Sequence, residues 1–362
     1  MNRVAPTLAR RDNVGMNADD VTKPPVPAGQ TTTDKFPVVG ELAPAPGWDA
    51  ATCSVEIAGL VDRPHRLSFA ELLALPQQSR TVDIHCVTGW SRPALSMRGV
   101  PLATVLAAAG VQAGARYVRF IAQTARGHDT SLPLDYALAD TWLVHEMDGV
   151  PLSSEHGGPL RTVTPGRYFY KSLKWLARIE LLADDQLGYW ERESAYHNDA
   201  DPWLEQRFDE TRVADAETVA AFKATADYSA WRDGRVLLKA RLGSWQPLTQ
   251  DLSGVQLKYC SLRRAQLAGL SWRGANLSLS NFEGADLRGC DFTGADVEGA
   301  SFAGADLRGA IFRDTALSAT KFYRDFANGQ RLGANVEGAV FEQPRGLLES
   351  QAAYLREQGL NL

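Results

Sequence analysis

The stretch VDIHCVTGWSRP, residues 82–93, sets one cysteine between an alternating apolar run and a loop of glycine, tryptophan, serine and arginine. At such a junction Cys86 stands at the rim of a core, where a thiol can meet a ligand. On this residue alone two readings are open: a soft ligand, or a packed small hydrophobe, the commonest state of a free cysteine. A second stretch, HGGPLRTVTPGRYFYKSLKW at 156–175, gathers His156, Arg161, Arg167, Lys171 and Lys174 with no acid between them. Gly157, Gly158 and Gly166 allow a backbone to come close to a bound group, and such a cationic set suits a phosphate. Its alternative is a positive surface patch or a nucleic-acid contact.

Together with FPVVGELAP (36–44) and GYWERESAYHNDADPW (188–203), these two stretches resemble the oxidoreductase molybdopterin-binding domain of the sulfite oxidase family. The likeness is nearest to its small haem-free bacterial members, which include a methionine sulfoxide reductase branch, and it runs over about residues 36–203. It implies Mo-molybdopterin as cofactor, no haem, and Cys86 as the single protein ligand of molybdenum, a soft thiolate beside the two dithiolene sulfurs of the pterin. It also carries His156, Arg161, Ser172 and Lys174 onto positions that hold the pterin and its phosphate, with Lys171 a neighbour of the same task. The implied activity is sulfite-oxidase-like oxygen transfer to a small oxyanion, sulfite being one candidate, with electrons passed to a separate redox partner. Tyr189, Trp190 and Trp203 read as packing.

An anionic substrate needs a cation near the metal, and Arg92, shortly after Cys86 in sequence, is the candidate; a surface ion pair is its other reading. Relatives tend to carry D-G-Y-T-T-N-L-P where this chain has RGHDTSLP at 126–133, so His128 stands at an active-site tyrosine position. A histidine there can donate a hydrogen bond or carry charge near neutral pH, or it can simply belong to a loop. The rival functions are reduction of an S-oxide or N-oxide by the same fold, and an interaction protein without turnover.

The elements expected to position these groups are mixed α and β. CSVEIAG and TVDIHCV alternate as strands, and SFAELLAL opens on Ser68 as a helix N-cap. PLATVLAAAG reads as a helix closed by Gly110, YVRFIAQ as a strand, and LKWLARIELL as a strand-like run. The expected organisation is a disordered arm over 1–35, rich in Pro, Thr and polar residues, then an α+β domain over 36–205. A connector follows over 206–250, with a helical AETVAAFKATADY and an Asp233-Gly234 hairpin signal.

The last third follows a different period. From Leu252 to Phe322 fifteen successive fifth residues are large and apolar, and small residues such as Ala275, Ala285 and Ala295 sit two places before most of them. A period of five fits neither helix nor strand, but four such units close a square coil with the large and small positions inward. The pattern resembles the pentapeptide-repeat family, which implies a right-handed quadrilateral β-helix over 251–343. The phase breaks at YRDFANGQRLG, where a loop or distorted coil is expected, and residues 344–362 read as a capping helix. Cys260 and Cys290 share the small inward position on opposite faces, which favours packed thiols over a disulfide.

The chain has 362 residues, 44% of them hydrophobic, and a net charge of -5, enough for two cores. No apolar run is long enough to span a membrane, and the Arg10-Arg11 pair leads no hydrophobic core, so the expected location is cytoplasmic, away from membranes. Weak acidity argues against nucleic acid as a partner. Residues 251–342 hold 11 acids and 10 bases, too balanced for a DNA mimic, so the coil is expected to serve protein interaction or self-association.

Overall fold

A computed structural model describes residues 26–39, 43–232, 235–326 and 328–362. The arm expected over 1–35 lies outside the described residues as far as residue 25, as does the Asp233-Gly234 turn. From residue 26 the arm is not free chain: β1 (Thr31–Thr32) pairs in parallel with Trp90 and Ser91. Its polar composition concealed this because the pairing uses backbone groups, which carry no hydropathy signal.

The α+β part is built on two sheets. In one, β4 (Gln78–His85) and β5 (Trp90–Pro101) form a long antiparallel pair, and β5 continues through β8 (Trp142–Met147) to β10 (Arg161–Val163). In the other, the order is β3 (His65–Ser68), β2 (Ser54–Gly59), β11 (Leu176–Leu182), β6 (Tyr117–Ala122) and β7 (Asp129–Pro133). A short β9 (Val150–Pro151) edges β8. The alternation in SVEIAG buries Val55 and Ile57 against Val118, Phe120 and Ile179. Gly59 sits at φ +80, and a Cβ there would meet the Leu181 carbonyl oxygen at 2.2 Å, so the parallel β2–β11 pair requires glycine at its end. Helix α1 (Phe69–Ala74) begins with a capping box, in which the Ser68 hydroxyl accepts from Glu71 N while Glu71 accepts from Ser68 N.

The β-helix repeats every twenty residues. Parallel bridges join Gln256 to Asn276, Asn276 to Asp296 and Asp296 to Ala316 on one side, and Ser261 to Asn281 to Ser301 to Lys321 on the next. Inside, Phe282 stacks on Phe302 at 5.1 Å and Phe292 on Phe312 at 4.8 Å between ring centroids, all fully buried. The small inward positions also close hydrogen bonds along the coil: Ser280 donates to Leu257 O, Thr315 to Phe292 O and Thr320 to Val297 O. Cys260 and Cys290 take the same role, donating to Leu237 O and Leu267 O, and both are free buried thiols. At the phase break Tyr323–Asp325 and Arg331–Gly333 form an antiparallel hairpin, after which Asp306 pairs with Asn335 instead of residue 326.

The coil begins earlier than the expected connector allowed. Leu237 and Leu242, in phase with Leu252, are fully buried, and Val236–Leu238 pairs in parallel with Gln256–Lys258. The repeat is hidden there because Pro247 interrupts the large apolar series. Phe222 and Trp231, from the helices Ala216–Ala224 and Ser229–Arg232, and Tyr228 just before the second helix cover the open end of this first coil. At the other end the helix Glu349–Glu357 inserts Tyr354 and Leu355. A solenoid needs both covers, because each coil is buried only by its neighbours.

Phe302→Ala should therefore destabilise the chain by about 3 to 5 kcal/mol, the usual cost of emptying a packed aromatic site. Denaturant unfolding followed by circular dichroism checks this; a loss below about 1 kcal/mol would mean that the ring column is not the core of the coil.

Candidate functional site

Cys86 occupies the tip of the β4–β5 hairpin. Its N–H donates to Trp90 O at 2.8 Å, its carbonyl accepts from Gly89 N at 3.0 Å, and Gly89 supplies the positive φ of +98 that the turn requires. Gln30 Nε2 donates to the Cys86 carbonyl at 3.1 Å and Ser91 Oγ donates to Gln30 Oε1, so the N-terminal strand braces the hairpin. The sulfur lies 3.1 Å from Thr88 Oγ1 at the edge of a cleft enclosing about 1260 Å³ of atom-free space, part of it open to solvent. Burial pushes the thiol above its ordinary value, opposed by Thr88 and by the positive charges of Arg207 and Lys174. Among the described residues no three His, Cys, Asp or Glu side chains gather to hold a bare ion, and Cys86 offers a single sulfur.

The basic stretch bends around the far side of the cleft. Arg161 is 2% exposed, and its guanidinium donates only to carbonyls: His156 O at 2.8 Å, Ser172 O at 2.7 Å and Thr162 O at 3.3 Å. It also lies 4.2 Å above the Phe169 ring, and no acid among the described residues pairs with it. Burial pulls its pKa down to about 9, the sign of a charge that lacks its counter-ion. His156 Nε2 donates to Phe36 O and its Nδ1 hydrogen-bonds Ser153 Oγ, with Phe36 stacked on its ring at 4.7 Å. Lys174 Nζ donates to Val39 O at 3.1 Å. Ser172 lines the cleft, but its hydroxyl accepts from Thr164 N. Gly158 keeps this wall tight, since a Cβ there would meet Leu152 O at 2.2 Å.

His128 also lines the cleft. It is 7% exposed, its ring 4.1 Å from Tyr189 and 5.6 Å from Trp190, with Nδ1 at 3.2 Å from Thr124 Oγ1. Cys86, His128, His156, Arg161, Ser172 and Lys174 thus share one space.

Two expected site residues do not join them. Arg92 is carried along β5, where it donates to Asp34 O and pairs with Asp148 at 3.4 Å, the contact its ion-pair reading describes. Lys171 is fully buried away from the cleft, in an ion pair with Glu191, and donates to Ser131 O at 2.9 Å and Asn198 Oδ1 at 3.1 Å. Burial raises the Glu191 carboxyl, and Lys171 opposes that shift. The partner is twenty residues distant, inside the aromatic stretch, and local spacing gave no sign of it.

Several lining residues had no signal in the basic or cysteine motifs. Arg126 pairs with Glu298 of the coil at 2.8 Å, and Lys258 of the coil reaches Glu193. Burial raises the phenols of half-buried Tyr170 and buried Tyr196 well above their ordinary range and keeps them protonated. Lys171→Met should cost about 3 to 5 kcal/mol by stranding the Glu191 charge, and Lys171→Met combined with Glu191→Leu should recover much of it. Chemical denaturation of the variants checks this, and equal stability of Lys171→Met and the parent would contradict the pairing.

Comparison with known proteins accords with this geometry. The profile of the oxidoreductase molybdopterin binding domain matches residues 42–190, and that of pentapeptide repeats matches 260–299 and 285–322. The chain is 43% identical to the uncharacterized oxidoreductase YuiH of Bacillus subtilis over 185 residues, covering 51% of this chain and 91% of YuiH. It is 34% identical to the putative protein-methionine-sulfoxide reductase subunit YedZ1 of Azospira oryzae over 144 residues, 40% of this chain and 54% of that protein. With the sulfite oxidase of Arabidopsis thaliana it shares 29% identity over 171 residues, 38% of this chain and 44% of the plant enzyme. It thus spans nearly all of YuiH but about half the length of the other two. The chain belongs to the molybdopterin-binding oxidoreductase family, here joined to a β-helix of pentapeptide repeats.

Proposed function

We propose that the cleft binds Mo-molybdopterin, with Cys86 as the protein ligand of the metal, and that the chain transfers oxygen atoms at the sulfur or nitrogen of a small molecule. The observation that carries this reading is the pair of unlike groups across one cleft: a lone soft sulfur on one side and, on the other, a buried arginine with carbonyl partners and, among the described residues, no acid. A cofactor that is anionic at its phosphate end and thiophilic at its metal end satisfies both. When bound, it supplies two-electron oxygen transfer at the metal and returns to its starting state through a separate redox partner.

The residues of the chain bind, orient and protect. Lys174 and Arg207 favour the thiolate of Cys86 against the penalty of burial. Arg161, His156 and Lys174 take the anionic end, and Ser172 fixes Arg161 through its carbonyl. His128, clamped by Tyr189 and Trp190, offers a ring nitrogen to the substrate side.

The position of Arg92 favours the reductive direction on a neutral S-oxide or N-oxide over oxidation of an oxyanion. The cation once expected to meet sulfite is engaged with Asp34 and Asp148. The cations that do line the outer cleft, Arg126 and Lys258, face Glu298 and Glu193, and Asp296 stands beside them. Such a balanced wall holds a neutral polar molecule better than a small anion.

Cys86→Ser should abolish turnover, because an alkoxide is a poor soft ligand, and Arg161→Met should lower cofactor affinity about tenfold or more, the worth of one charge-assisted bond to a phosphate. The check is pterin content of the purified variants together with rates on sulfite, a methyl sulfoxide and an amine N-oxide, using artificial electron donors and acceptors. Parent-like turnover in Cys86→Ser or full pterin occupancy in Arg161→Met would contradict the site, and faster sulfite oxidation than S-oxide reduction by the parent would reverse the direction.

A further inference from the structure

One side of the β-helix faces the cleft. Asn276, Ser278, Leu279, Asp296 and Glu298 line it, and they recur at intervals of twenty residues on adjacent coils. The same side departs most from the repeat at its turns. The other sides mostly place glycine at positive φ, as at Gly274, Gly284, Gly289 and Gly294, with Arg264 and Asp314 as exceptions, whereas this side holds Lys239, Tyr259, Leu279 and Ala319 at φ of 61, 56, 59 and 56. L-residues pay conformational strain there, and strain persists where the side chain has a use.

That use is visible in the contacts. Tyr259 meets Phe208 at 5.0 Å and Tyr196 at 5.7 Å, and Lys239 Nζ lies 4.4 Å over Phe208. Gly299 is the exception in the row, and a Cβ at that position would meet Leu279 Cδ2 at 2.5 Å, so its glycine makes room for Leu279 to lie along the wall. Glu298 is 6% exposed, and while one carboxylate oxygen holds Arg126, the other, Oε1, is buried with no hydrogen-bond partner among the described residues. Burial raises this carboxyl, with Arg126 opposing. A pure docking scaffold gains nothing from a buried polar atom beside a cleft.

We propose that the β-helix is a wall of the catalytic compartment, with Leu279 and the Arg126–Glu298 pair setting the width of its mouth, so that the enzyme accepts small molecules and excludes sulfoxides held in folded polypeptides. This rests on the cleft being the reaction site. It assigns the fused domain a part in specificity, in addition to whatever its other sides bind.

The test uses the full chain expressed without molybdate and reads alkylation of Cys86 by peptide mass mapping, with iodoacetamide as the small probe and a polyethylene-glycol maleimide as the large one. The other cysteines are buried in separate cores, so Cys86 reports on the cleft. In the parent the small probe should modify Cys86 and the large one should lag far behind. Leu279→Gly suits the positive φ and only shortens the wall; it should speed the large probe about tenfold or more while leaving the small one nearly unchanged. Glu298→Gln should act in the same direction by loosening the latch. Equal access of both probes in the parent, or no gain for the large probe in Leu279→Gly, overturns the wall. Because no molybdenum is present, these outcomes stand apart from the molybdenum reading: that reading can fail with the wall intact, and the converse.

Discussion

A guanidinium buried with no acid beside it among the described residues is the constraint around which the cleft is arranged. Arg161 sits at the start of a core strand, three of its N–H groups donating to carbonyls, and burial lowers its affinity for the proton. A fold tolerates such a charge when a ligand completes it. Nearly every feature of the cleft follows from the need to keep that charge in place and its ligand enclosed. Gly157 and Gly158 bring the backbone close, Phe169 covers the guanidinium face, and residues 36–39 lay two carbonyls on His156 and Lys174.

Three separate segments enclose the chemistry. The N-terminal strand braces the Cys86 hairpin through Gln30, the α+β domain supplies the sulfur and the cations, and the β-helix closes the outer side with Glu298 and Leu279. The aromatic stretch after β11 joins the last two. Tyr189 and Trp190 hold His128, while Tyr196 and Phe208 pack on Tyr259. The two folds therefore share a core of buried side chains, Val87, Tyr196, Phe208 and Leu238 among them, and do not behave as beads on a linker.

What could be read from the sequence was what depends on local spacing. The fivefold series announced the coil because every inward position repeats, and the strand ending at His85 placed Cys86 at a rim. The basic stretch located Arg161, His156 and Lys174 because one turn of chain brings them to one surface. Arg92 and Lys171 lie off the cleft lining for a common reason: sequence nearness to a functional residue does not give direction. In the β4–β5 hairpin Arg92 pairs opposite Ile84 and turns to Asp148, and Lys171 turns inward to Glu191. The wall could not be read, since Arg126 and Glu298 are 172 positions apart and the stretches that hold them gave no sign of their pairing. Its one local trace was the row of non-glycine residues where the repeat elsewhere prefers glycine, at Tyr259, Leu279 and Ala319.

The central claim is that the sulfur of Cys86 holds molybdenum, and X-ray absorption at the molybdenum edge tests it most directly. The chain, expressed with molybdate, should carry the metal, and Cys86→Ser loaded in the same way should show one fewer sulfur neighbour and an added oxygen or nitrogen. Identical sulfur shells in the two proteins, or a parent that carries no molybdenum, would contradict the account.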